Sequence, residues 1–141
     1  MNKKLKGYTQ GSLRARVAGA DPYQLIQMLF AGALESLSYA KGAIQRKDLE
    51  KKGQCISRAS AIIESLRSSL DMEVGGEISS NLNDLYIYML DRLSDAAVNN
   101  DPKTLDEVAD LIKQIKSAWD SIPVTDRDVA FSKQQSAVSG A

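Results

Sequence analysis

Apolar residues recur at spacings of three and four along most of the chain, and polar breaks divide the pattern into four stretches, each long enough for a helix. Asp21-Pro22 opens the first, with Asp21 as N-cap and Pro22 at the first helical position, where its missing N–H does no harm. Ile26, Phe30, Ala33, Leu37, Ala40 and Ile44 then share one face, and the stretch stops near Lys47-Asp48. A second begins at about Leu49 and sets Ile56, Ala59, Ile63, Leu66 and Leu70 on a common side. The segment Met72 to Gly76 breaks it, because paired glycines disfavour a helix and permit a tight turn. A third stretch from about Glu77 carries Ile78, Leu82, Leu85, Met89, Leu93 and Ala96. Asn99-Asn100-Asp101-Pro102 interrupts the chain again. From Pro102 or Lys103 the fourth stretch keeps Leu105, Val108, Ile112, Ile115, Trp119 and Ile122 in phase until Pro123 ends it.

Short connections between helices of this length predict antiparallel neighbours, and nothing reads as a strand. The expected fold is all-α, an antiparallel up-down-up-down four-helix bundle over residues 21–122. Residues 1–20 form an N-terminal arm and residues 123–141 a C-terminal tail. Neither shows a sustained period, and both are expected to be mobile.

The 141 residues amount to one domain, with the apolar share (43%) and charged share (26%) of an ordinary globular protein. Absences narrow the chemistry. The chain has no histidine and a single cysteine, Cys55, so histidine general bases, di-iron Glu-x-x-His pairs and cysteine zinc sites are unavailable. No GxxxxGK[ST] or GxGxxG loop is present. The reading is non-enzymatic, with no catalytic residue, metal or cofactor. No apolar run approaches the ~20 residues of a membrane span, and the N-terminus lacks a signal-peptide core, which makes the cytoplasm the expected compartment.

The net charge of zero is unevenly spread. Residues 1–20 carry five bases and no acid, whereas residues 21–122 carry 11 bases and 16 acids. An acidic body argues against nucleic acid as the partner. The basic arm is either a solvated terminus or a segment drawn to the acidic body.

Two stretches have more apolar surface than a bundle core requires. With Ile26 at the centre of the first core face, Leu25, Met28, Gly32, Tyr39 and Ala43 fall roughly 100 to 160 degrees away. In the third stretch Ile87 points nearly opposite Leu85 and Met89, and Tyr88 lies at the rim near Asn81 and Arg92. Single exposed apolar residues are common; a wide stripe points to contact with a partner. Trp119 continues the stripe of its helix and reads as core. Gly75-Gly76, with no basic neighbour, reads as a chain reversal that brings Glu77 to the positive end of the third helix rather than as a phosphate cradle.

The run from Leu70 to Leu93, LDMEVGGEISSNLNDLYIYMLDRL, resembles the signature of the flagellin-specific export chaperone family, FliS. So do DPYQLIQMLFAGAL at Asp21 to Leu34, the DxxxLxEV pattern at Asp101 to Val108, and Ala118-Trp119. Tyr8, seventeen positions before Leu25, matches a tyrosine of the family's N-terminal arm. One departure is Ala96-Ala97, where the family has Ala-Asn. The resemblance spans about residues 8 to 122.

The resemblance implies an antiparallel helical bundle without catalysis, whose partner is the C-terminal segment of flagellin, disordered before assembly. It implies delivery of the complex to the flagellar export gate and a role for the arm in covering the client groove. On this reading Tyr8, Leu25, Met28, Gly32, Tyr39, Ile87 and Tyr88 are the candidate partner-binding residues, with no nucleic acid and no stable membrane insertion. Monomer or weak homodimer is the expected state. A chaperone for another secreted client and a structural homo-oligomer are the alternatives, since fold does not fix function.

Overall fold

The computed structural model describes residues 21–126; residues 1–20 and 127–141 lie outside the described residues, and with them Tyr8 and the expected behaviour of the arm and tail. Four helices follow in order, α1 (Pro22–Gln45), α2 (Leu49–Ser68), α3 (Met72–Asn99) and α4 (Pro102–Asp120), with a short 3-10 turn at Val124–Asp126. Each helix packs against its neighbour in sequence, and α1 also meets α4, which closes the ring. The architecture is the antiparallel up-down-up-down bundle that the spacing predicts.

Each helix opens on an aspartate. Asp21 and Gln24 form a capping box, with the Gln24 N–H donating to Asp21 Oδ1 at 2.7 Å. Asp48 accepts from the Lys51 N–H (3.1 Å), Asp71 from the Glu73 N–H (2.9 Å) and Asp101 from the Lys103 N–H (2.9 Å). A short carboxylate outside the first turn satisfies donors that have no partner within the helix. Two of the reversals use a left-handed residue just ahead of the cap, Lys47 (φ 61°) and Asn100 (φ 55°). At the first, the Asp48 N–H reaches the Ala43 carbonyl at 2.8 Å and the Lys47 N–H reaches Ile44 at 3.0 Å, the paired bonds of a Schellman stop.

The core holds the expected α1 stripe together with Ile56, Ala59, Ile63 and Leu66 of α2 and Leu105, Val108, Ile112 and Trp119 of α4. Three positions differ. Ala43 is fully buried, although the wheel sets it on the outer face of α1. The break before α3 falls at 69–71 rather than at the glycines, so the helix starts at Met72 and bends at Gly76 (φ 53°, ψ −126°). Ile78, two residues past the bend, is outside, 73% exposed, and the core phase of α3 runs through Ser79, Leu82, Tyr86, Met89, Leu93 and Ala96. The expected stripe starts at Glu77, past the bend, so its phase is intact there; Ile78 is exposed because burial needs a neighbouring helix beside the face as well as the right phase.

The ends of α1 and α4 are joined reciprocally. The Tyr23 hydroxyl donates to the Trp119 carbonyl at 2.5 Å, and the Trp119 indole N–H donates to the Tyr23 carbonyl at 3.2 Å. The two rings stack with centroids 5.1 Å apart and planes 14° from parallel. Beside them the Gln27 amide donates to Asp120 Oδ1 at 2.8 Å. The pair therefore buries two large rings and satisfies both of their polar atoms.

Two outcomes follow from this packing. Trp119→Ala removes the stacked ring and the indole N–H bond to the Tyr23 carbonyl, and chemical denaturation should show a loss of about 3–5 kcal/mol. Tryptophan emission of the folded parent should be blue-shifted; a red, fully quenchable band would place the ring in water instead. Gly76→Val forces a β-branched residue into a conformation that L side chains avoid and should cost about 1–3 kcal/mol, read as a lower Tm with the α-helical spectrum retained.

Candidate functional site

No catalytic constellation emerges among the described residues. Cys55 is buried against the α1–α2 core, and burial pushes its thiol up from the ordinary value. Among the described residues no three potential metal ligands cluster, and no helix is long and apolar enough to cross a membrane. The surface is the remaining place to look for function, and the candidates there are apolar.

On α1 the wide stripe divides into two parts. Gly32 lies where α1 approaches α2: a Cβ at this position would sit 3.3 Å from Ile62 Cδ1. Ser36 and Ala43, buried on the same flank, let the two backbones come close, and the Ser36 hydroxyl returns a bond to the Gly32 carbonyl at 2.9 Å. Leu25 shares that flank by helical spacing and is half-buried. Met28 and Tyr39 lie farther round, three turns apart on one ridge, with Met28 half-buried and Tyr39 54% exposed.

On α3 the two neighbours Ile87 and Tyr88 part company. Ile87 is 38% exposed and turns toward the α2 side, whereas Tyr88 leans over α4. The Tyr88 hydroxyl donates to Glu107 Oε2 at 2.7 Å, and Arg92 Nε donates to Glu107 Oε1 at 2.8 Å. Arg92 also bonds Asp95 at 3.1 Å and approaches the Thr104 hydroxyl at 3.4 Å. Both donors favour the ionised carboxylate, so Arg92 first and Tyr88 second hold the Glu107 carboxyl below the ordinary range; the same bond raises the Tyr88 phenol. Tyr88 thus combines an exposed ring face with a hydroxyl committed to the α3–α4 seam.

The structure does not bring these residues into one groove. Met28 and Tyr39 on α1 and Ile87 on α3 flank the two sides of α2, because α1 and α3 are diagonal in the bundle and each packs on α2. Tyr88 belongs to the next seam round. Four further apolar side chains are exposed near helix ends, Met72 (47%), Ile78 (73%), Leu49 (61%) and Val98 (79%). Periodicity sets Ile78 in the core and leaves the other three unmarked, because a helix end lacks neighbouring turns to define a face.

The segments that carry the family resemblance meet in space. Tyr88 and Arg92, from the run at Leu70 to Leu93, clasp Glu107, from the DxxxLxEV pattern, while Asp101 of that pattern caps α4 and Leu105 and Val108 fill the core. The departure at Ala97 is accommodated through the main chain. Lys52 of α2 donates to the Ala97 carbonyl at 2.8 Å and to the side-chain oxygen of Asn100.

Comparison with known proteins agrees with this convergence. The model of the family described as flagellar protein FliS matches residues 4–126. The chain is 47% identical over 120 residues to the flagellar secretion chaperone FliSB of Pseudomonas aeruginosa, covering 85% of this chain and 95% of that protein. It is 43% identical over 123 residues to the flagellar secretion chaperone FliS of Vibrio cholerae, covering 87% and 90%. The similarity extends to the protein of the same name from Bacillus subtilis, at 32% over 112 residues and 79% and 80% coverage. With matches of this extent, over residues 4–126 of the chain, it belongs to the FliS family of flagellar proteins.

Proposed function

We propose that this protein is a cytoplasmic flagellar export chaperone. It holds the disordered C-terminal segment of flagellin, prevents premature polymerisation, and passes the complex to the export gate. It acts by binding alone, without a cofactor. The observation that carries the reading is the apolar surface on both sides of α2, Tyr39 and Met28 on one and Ile87 on the other, on a body whose own core is already filled. The relatives named flagellar secretion chaperones supply the class of client.

The physical fit is straightforward. An extended chain that folds as it binds must offset its lost conformational entropy, so it needs a large contact, on the order of 1,000–3,000 Å². Apolar positions spread around a bundle suit a client that wraps it in pieces better than a compact partner seated in one pocket. An acidic body of this kind also repels other acidic surfaces, which adds selectivity against unrelated chains.

Immobilised protein should retain full-length flagellin from the same genome and lose it when the flagellin C-terminal segment is removed. Equal capture of the truncated form would end the proposal. Tyr39→Asp and Ile87→Asp should weaken capture while thermal stability moves by no more than about 0.5 kcal/mol, the usual range for exposed sites. Unfolding of either variant, read by circular dichroism, would assign that residue to the core instead.

A further inference from the structure

The end of the bundle where α4 stops carries apolar surface that no helix covers. Ile78 is 73% exposed, Val124 73% and Met72 47%. Contacts along α3 explain the first of these. Arg67, in the last turn of α2, meets Asn83, and Ile78 lies five residues further on, about 7.5 Å along the axis and past the end of α2. On the other side, Glu107 of α4 meets Tyr88 and Arg92. Ile78 is about 15 Å from Tyr88 along α3, and Trp119 is about 18 Å from Glu107 along α4, both toward the same end. Ile78 is therefore level with the last turn of α4, from which Pro123 and Val124 lead the chain away. Single exposed apolar residues are common, but these stand beside the point where residues 127–141 begin.

The sequence of that remainder matches what it would meet. Residues 127–133 read Arg-Asp-Val-Ala-Phe-Ser-Lys, an apolar triplet flanked by two bases against one acid. Phe131 is one of two phenylalanines in the chain, and the other, Phe30, lies in the core. The rim around Ile78 is acidic: Glu73 and Glu77 are exposed and make no ion pair among the described residues. Two bases of this end are committed elsewhere, Arg67 to Glu64 and Asn83 and Lys116 to Asp120. Arg127 and Lys133 supply the charge that the rim lacks. The reach is sufficient. Phe131 follows Asp126 by five residues, up to about 17 Å of extended chain, and packed helix axes lie only about 8–10 Å apart. The family match ends at residue 126, so a contact made by these residues is additional to the fold that the relatives share.

We infer that residues 127–133 fold back over this end of the bundle and seat Phe131 on Ile78, with Val124 and Val129 completing the apolar contact. Arg127 and Lys133 then lie against the rim formed by Glu73 and Glu77. Removing a phenylalanine ring and an isoleucine side chain from water together supplies the drive, and the exposed charges add orientation more than energy. The contact braces α3 just past its bend at Gly76, where α2 has already ended. Ile87 stands about 14 Å further along α3, so the inference goes beyond the client reading and does not depend on it.

The test uses the full chain, isotopically labelled for NMR. Phe131 ring protons should show cross-relaxation with the Ile78 methyl groups; Phe30 is the one other phenylalanine and is buried, so the two rings are separable. Phe131→Ser should speed amide exchange over residues 80–84 by about fivefold or more, and Phe131→Leu should keep most of the protection. An equal rise at residues 93–97, toward the opposite end of α3, would mark a general loss of stability and overturn the brace. Cross-relaxation seen only between chains, in a mixture of labelled and unlabelled protein, would overturn the contact within one molecule and make this end an interface between copies. Absence of any Phe131–Ile78 contact, with unchanged exchange in Phe131→Ser, would overturn the inference outright. Flagellin capture is a separate readout, and none of these outcomes alters it.

Discussion

The reciprocal contact between Tyr23 and Trp119 closes the bundle. Helices that follow one another in sequence are tied by their connections, but α1 and α4 have no such tether, and only side chains can hold the first to the last. Here each ring gives its polar atom to the other residue's main-chain carbonyl while the faces stack, so the closure costs no unpaired group. Gln27 with Asp120 and Lys41 with Asp106 extend the same seam toward the opposite end. The exposed Lys41–Asp106 pair adds orientation more than energy.

Given that closure, the four seams are not equivalent. The α1–α2 seam is made with small residues, Gly32, Ser36 and Ala43, and the backbones come close enough that even a methyl at Gly32 would press on Ile62. The α3–α4 seam is held by the clasp of Tyr88 and Arg92 on Glu107. The α2–α3 seam adds Arg67 and Lys52 near its ends to the core residues packed between them.

The sequence motifs acquire a physical meaning in this arrangement. Glu107 lies fifteen residues beyond Arg92, on a different helix and in a different motif, and the pair is intelligible only as one interaction. Gly76 is needed for its backbone: φ 53° with ψ −126° is open to glycine, and the adjoining Gly75 is not in the left-handed region. The bend it allows separates the first turn of α3, capped by Asp71, from the long straight portion that carries Tyr86, Ile87 and Tyr88.

Helix number, the antiparallel order and most of the core were determined by the sequence itself, because a 3.6-residue period and a short carboxylate ahead of each stretch are local signals that need no knowledge of neighbours. Ile26, Phe30, Leu37, Ile63, Val108, Ile112 and Trp119 all lie inside as their spacing requires. Only the tertiary structure decided which edge of each helix meets which neighbour. Leu25 and Gly32 share the outer side of the α1 wheel with Met28 and Tyr39, yet close approach of α2 takes the first two into a seam and leaves Tyr39 in water. Ile78 and Tyr86 show the same limit on α3, where an expected core residue is left outside and the bundle encloses an unexpected one. The pattern along a chain records how apolar a face is, whereas its burial is set by the distance and angle of the next helix, and those follow from contacts between residues far apart in sequence.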